Sequence, residues 1–177
     1  DSLNPSGQAE ASAGLSRAVS LNDGRGGLPR EETVSSNVTM RHQWRQHTVT
    51  QGIIPGPRSG AASVVVGNKL YVFGGYGGSG RLSDFFQFDF ETKTFQEVKT
   101  AGENPGVREN NGVVLYKNRL YIFGGYNGSD WLNDFHEFDL QTKVWKRVEP
   151  EGTCPSPRFG YVAVRYADSF IIFGGYD

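Results

Sequence analysis

Two dense apolar runs, split by a two-residue polar turn, recur along the chain. The first runs are "ASVVV" (62–66), "GVVLY" (112–116) and "YVAVR" (161–165). The turns are "GN" (67–68), "KN" (117–118) and "AD" (167–168), and the returning runs are "LYVFGG" (70–75), "LYIFGG" (120–125) and "FIIFGG" (170–175). Near-continuous apolarity predicts paired strands buried on both faces and joined as a hairpin. A third strand is predicted from "DFFQFDF" (84–90) and "DFHEFDL" (134–140), after a loop of about eight residues. A fourth carries Phe95 or Trp145 and ends near Val98 or Val148. These two alternate polar with apolar, as strands nearer a rim should. No convincing stretch has the 3.6-residue period of a helix, so the fold class is all-β.

The pattern is a repeat. Residues 69–98 align with 119–148 without a gap, at a spacing of 50 (71 to 121, 95 to 145). Leu70, Tyr71, Phe73, Leu82, Asp84, Phe85, Phe88, Asp89 and Val98 all meet the same residue type in the second copy. A third copy opens with "PSPRFGYVAV" and reaches the doublet Gly174–Gly175. A four-stranded antiparallel unit repeated at this period is a propeller blade or one layer of a stack. Radial packing accounts for the doublets Gly74–Gly75, Gly124–Gly125 and Gly174–Gly175. Inner strands crowd towards an axis, and glycine tolerates close approach and unusual φ/ψ.

Before the repeats the character differs. Residues 1–40 hold no aromatic residue and are rich in Ser, Gly and Ala. Such a segment buries too little apolar surface to offset its ordering entropy, so it is expected to be a disordered tail. Within it, Arg17 stands three residues before Ser20, a spacing that basophilic kinases accept and that a Ser-rich tail also produces by chance. The glycosylation sequons at Asn37 and Asn127 are read as chance matches, since no secretory signal accompanies them. "QWRQHT" (43–48) is expected to be a lone fourth strand that closes a ring. A chain that opens on Asp1 and stops inside a third copy reads as part of a longer one.

Composition removes several function classes. Net charge is -1, with Lys and Arg scattered, so no electrostatic footprint for nucleic acid or anionic membrane exists. No apolar run approaches the ~20 residues that span a bilayer, so no membrane insertion is expected. Cys154 is the single cysteine, which excludes an internal disulfide and favours a reducing, cytoplasmic location.

The strand ending in Gly-Gly, the aromatic after it, the Asp beyond a glycine-rich loop and the Trp about 20 residues past the doublet resemble the kelch repeat. The pattern is full in 59–98 and 109–148 and partial in 43–48 and 157–177. The "PR" before the first strand and "LND" before the third are similar to the leucine-zipper-like regulator group and other intracellular kelch adaptors. Five positions depart from that variant: Ala61, Asn111 and Tyr161 stand where it often has His, Phe95 replaces Trp, and Val107 replaces Pro. The resemblance implies a partial β-propeller of about two and a half blades. It implies a protein-binding module rather than an enzyme, as substrate adaptor of a cullin-type ubiquitin ligase or as a trafficking or cytoskeletal scaffold. The alternative is a metal-dependent kelch enzyme, an oxidase or specifier, with its site beyond Asp177.

Candidate contact residues follow from the comparison of copies. Arg58, Arg108 and Arg158 recur before the first strand, and Asp84 and Asp134 recur at the third. Recurrence in every copy favours arginines that bind loop carbonyls or an Asp and hold blades in register; the rival is an Arg-lined face for acidic or phosphorylated peptides. "GGSGRLS" (77–83) becomes "NGSDWLN" (127–133), so Arg81 and Trp131 occupy equivalent places on a constant frame. A kept scaffold with varied loops makes a binding surface, and Trp and Arg are favoured anchors. Asn127, Asp130, Trp131 and Arg81 are therefore the candidate partner contacts, with packing of Trp131 on its own blade as the rival reading. His42, His47 and His136 show no metal-ligand spacing, and His136 stands where Phe86 does. No cofactor or metal is expected.

Overall fold

The structure, a computed structural model, describes the backbone of residues 18–20 and the whole of residues 43–177. All regular elements among them are strands. β1 (Ala18–Ser20) pairs antiparallel with β2 (Gln43–Arg45). The first blade holds β3 (Gln51–Gly52), β4 (Ala62–Val66), β5 (Lys69–Tyr76), β6 (Arg81–Asp89) and β7 (Thr94–Glu97), in the order β3-β7-β6-β5-β4. The second holds β8 (Ala101–Gly102), β9 (Gly112–Tyr116), β10 (Arg119–Tyr126), β11 (Trp131–Asp139) and β12 (Val144–Val148), in the order β8-β12-β11-β10-β9. β13 (Val162–Tyr166) and β14 (Ser169–Phe173) form the third hairpin.

Each complete blade thus has a fifth strand that the four-strand reading did not contain. β3 and β8 run parallel to the outermost strands β7 and β12. Glycine makes this possible. Gly102 has φ 80°, and a Cβ there would lie 2.2 Å from the carbonyl oxygen of Trp145. Gly52 meets Phe95 in the same way. The recurrence of Gly52, Gly102 and Gly152 at one spacing was the available signal.

The Gly-Gly doublets shape the other end of the hairpin. The register of β5 against β6 shifts between Phe73 and Gly75, which lets β5 continue to Tyr76. The turn that follows is only 77–80, closed by Gly77 N–H donating to Gly80 O at 2.9 Å. Arg81 and Trp131 therefore begin strands, opposite Tyr76 and Tyr126, and do not lie in loops as expected. Gly74 has φ 64°, and a Cβ there would sit 2.5 Å from Arg108 O of the next blade.

Blades pack face to face. Phe73 and Phe85 of the first meet Leu120, Ile122, Phe138 and Trp145 of the second. Trp145 is fully buried, 4.8 Å from Phe138 and 5.5 Å from Phe73 between ring centres. Burial on both faces holds for the second blade, where Val114, Leu120, Ile122 and Phe123 are all buried between two neighbours. Val65 in β4, and Val162, Val164, Ile171 and Phe173 on one face of the β13–β14 hairpin, lie on faces that no other described strand covers and are exposed.

Of the stretch 43–48, only Gln43–Arg45 is a strand, and it pairs with β1 rather than with a blade. The residues after it lie against the first blade: His47 packs edge-on to Phe88 and Phe90, and Val49 joins the Phe86–Phe88–Phe95 cluster. Ala18–Ser20 form a strand inside the segment expected to be disordered; the rest of that expectation lies outside the described residues, as do Arg17, Asn37 and His42.

Candidate functional site

Arg108 joins two blades. Its N–H donates to Leu82 O at 3.0 Å and its carbonyl accepts from Gly75 N–H at 2.8 Å, both in the first blade. Its side chain turns into the second blade. Nη1 and Nη2 each donate to Asp134 at 2.8 Å, Nη1 donates to Gly124 O at 2.9 Å, and Nη2 donates to Pro105 O. A planar guanidinium fits this fork-on-carboxylate geometry, and a lysine cannot supply it. Arg58 repeats the arrangement with Asp84 and Gly74 O, and Arg158 donates to Gly174 O and Asp177. Of the five residues singled out as register or binding-face candidates, Arg58 pairs with Asp84 and Arg108 with Asp134, while Arg158 pairs with Asp177, and the Arg58 and Arg108 guanidiniums point into blades. The doublets Gly74–Gly75, Gly124–Gly125 and Gly174–Gly175, all at positive φ, supply the carbonyls these arginines use.

Burial by itself would raise the Asp134 carboxyl. Hydrogen bonds from Arg108 and from His136, at 2.8 Å, and the charge of Arg108 outweigh it and hold it well below the usual carboxylate range. His136 is a buried partner of Asp134, which no metal spacing in the sequence predicts. Among the described residues no group of three or more His, Cys, Asp or Glu is placed to hold a metal ion. Tyr161, at the position of Ala61 and Asn111, accepts from Gly112 N–H at 2.8 Å and donates to Phe123 O, so it too joins neighbouring blades. Burial pushes its hydroxyl up to about 12.

The rim above these seams is where the copies differ. Between the first and second blades, Arg81 lies over the rings of Tyr76 (5.0 Å) and Tyr126 (4.7 Å). Its Nε donates to Glu109 at 2.8 Å. Between the second blade and the third hairpin, Trp131 takes the equivalent place. It lies 6.3 Å from Phe159, where the first seam has Glu109, and 5.0 Å from Tyr176, where the first has Tyr126. Tyr126 stands 5.8 Å from Phe159 on the same patch. An ion pair over two tyrosines is replaced by an aromatic cluster, and both members change together. Sequence comparison found Arg81 and Trp131 but missed Glu109 and Phe159, which follow the recurrent arginines directly and could have been read as a second variable pair.

The Arg81 guanidinium is partly buried and engaged, whereas Trp131 is 41% exposed and Tyr176 61% exposed. Asn127 shapes the turn beside them: its Oδ1 accepts from Ser129 and Asp130 N–H groups at 2.8 and 2.7 Å. Asp130 projects from that turn and forms no ion pair with another described residue. Arg81, Asn127, Asp130 and Trp131 are thus gathered on one rim, with Arg81 committed to its own seam.

A family model described as the KLHDC2/KLHL20/DRC7 Kelch-repeats domain matches residues 23–177. No curated protein sequence matches the chain. No helix among the described residues is long and apolar enough to cross a membrane.

Proposed function

This chain belongs to the KLHDC2/KLHL20/DRC7 kelch-repeat family, and we propose that it captures a protein partner on the rim formed by the β5–β6 and β10–β11 turns and the starts of β6 and β11. Kelch domains generally mediate protein–protein interaction. One observation supports this rim above other surfaces. Its frame of Gly-Gly, Tyr and Arg–Asp pairs is repeated, while 80–81, 109, 130–131 and 159 vary upon it. Partner contacts in this reading are Trp131, Asp130 and Asn127, with Arg81 and Glu109 at the margin. The arginines Arg58, Arg108 and Arg158 with Asp84 and Asp134 hold blade register beneath the rim. The role served is that of an adaptor or scaffold in the cytoplasm, with delivery of the partner to a cullin-type ubiquitin ligase as its most specific form.

Proximity labelling from the intact protein, compared across variants, tests the site. Partners should be lost with Trp131→Ala and Asp130→Ala and kept with Asn68→Ala on the opposite rim. An unchanged partner set in the first two variants sinks the reading. Co-purification of a cullin tests the ligase role.

A further inference from the structure

The sequence contains two Asn–Gly pairs, Asn111–Gly112 and Asn127–Gly128, and the fold gives them opposite surroundings. Asn111 is buried, and the Gly112 N–H, at the start of β9, donates to the Tyr161 hydroxyl at 2.8 Å. Asn127–Gly128 lies in the turn 127–130 between β10 and β11. There Asn127 Oδ1 accepts from the N–H groups of Ser129 and Asp130 at 2.8 and 2.7 Å. These bonds fold the side chain back over its own C-terminal peptide, as an Asx turn does. The Gly128 N–H has no acceptor among the described residues. The Asn127 amide nitrogen is barely held, since Nδ2 reaches only Asp130 Oδ2 at 3.5 Å. Position 128 takes only glycine, because φ is 108° and a Cβ would meet Arg81 Cδ at 3.3 Å. No side chain therefore shields the Gly128 nitrogen. The matching turn of the first blade, 77–79, is exposed with the second blade beside it, so a following copy does not cover this position.

We propose that Asn127 is a site of spontaneous chemical modification, converted through a cyclic imide to aspartate and isoaspartate. The Gly128 nitrogen gives its proton to solvent hydroxide and bonds to Asn127 Cγ, a ring closure that the folded-back side chain favours by proximity. Negative charge gathers on Oδ1, where two N–H donors already point, as in an oxyanion hole. The Cγ–Nδ2 bond then breaks, and the nitrogen takes a proton from water and leaves as ammonia. Water adds to either imide carbonyl and opens the ring to aspartate or isoaspartate. The sum is one water consumed and one ammonia released. The same step at Asn111 would need the Gly112 N–H to leave Tyr161 and the start of β9 to open. Isoaspartate carries the main chain through Cβ and so lengthens the turn that lies over Arg81. Either product sets a second carboxylate beside Asp130. The inference goes beyond the rim-binding reading and stands without it.

The test incubates the intact protein at neutral pH and physiological temperature, then digests it with trypsin below neutral pH. The two pairs fall on separate peptides, 109–117 and 120–143. By mass spectrometry Asn127 should exchange amide for acid at least tenfold faster than Asn111. An isoaspartate methyltransferase should label the 120–143 peptide. Unfolding in urea should bring Asn111 up to a rate near that of Asn127. The rate at Asn127 should climb with pH, because the Gly128 nitrogen must lose its proton. Asn127→Gly puts there the residue that the first blade carries as Gly77; this variant should fold and lose the label. Similar rates at the two pairs in the folded protein, aspartate without isoaspartate at Asn127, or a rate indifferent to pH overturns the proposal. So does an Asn127 that reacts far more slowly folded than unfolded.

Discussion

One arginine motif, written twice with an Asp of β6 or β11, makes a quantitative prediction. Arg108 and Asp134 have side chains 1% and 19% exposed, Arg58 and Asp84 9% and 30%. Removing one partner of a buried pair strands the other charge and costs about 3–5 kcal/mol. For Arg108→Ala the stranded groups are Asp134 and the carbonyls of Gly124 and Pro105. Asp134 keeps His136 and some solvent, which places the cost near the lower end, about 3 kcal/mol. That lowers Tm by on the order of 10 °C in a chain of this length. Arg58→Ala leaves a better hydrated Asp84 and costs about 2 kcal/mol, discounted from the buried range. Urea denaturation of the two variants, with shared m-values, reads the difference directly. Equal losses at both, or an Arg108→Ala midpoint within about 0.5 kcal/mol of wild type, would refute the argument from burial. Partner binding lost in Arg108→Ala at unchanged stability would assign the guanidinium to a ligand instead.

Three other outcomes are expected. Gly102→Ala should destabilise by at least 1 kcal/mol or so, since its φ of 80° and the 2.2 Å approach to Trp145 O leave no room for a Cβ; a neutral effect in thermal melting would contradict the strand β8 packing. Trp145→Phe should cost much less than Trp145→Ala, for which about 3–5 kcal/mol is typical. The buried indole N–H has no partner among the described residues, and blade one carries Phe95 there. Similar losses in both would be the contrary result. The depressed Asp134 carboxyl contributes stability that is fully present above its ordinary value of 3.8 and is lost as pH falls below that towards the folded-state value. Asp134→Asn should therefore flatten the acid limb of a stability–pH curve, and an unaltered limb would argue against the pair.

The strands, the period and the hairpin pairing were legible because each copy repeats one apolar code, and a code seen twice in register is hard to mistake. The parallel β3 and β8 were not, because two residues carry no periodicity; only Gly52, Gly102 and Gly152 mark them. Arg81 and Trp131 were found by their variation but assigned to loops, since the bulge at Gly74–Gly75 extends the hairpin in a way local pattern does not show. Glu109 and Phe159 escaped notice because their partners lie 28 residues away in sequence in each seam (81 to 109, 131 to 159).

The short parallel strands β3 and β8 also bear on solubility. Without them β7 and β12 would present open hydrogen-bonding edges to solvent, the kind of surface on which another chain's strand can grow. Ala101 and Gly102 seal that edge from the connection entering the blade, and Gly102, left-handed in φ, turns the backbone away after two residues. The new outer edge is then too short and too bent to template a further strand. The connection between blades is therefore also a guard against cross-chain sheet extension, and lengthening it at 99–103 should favour aggregation before it disturbs the blade itself.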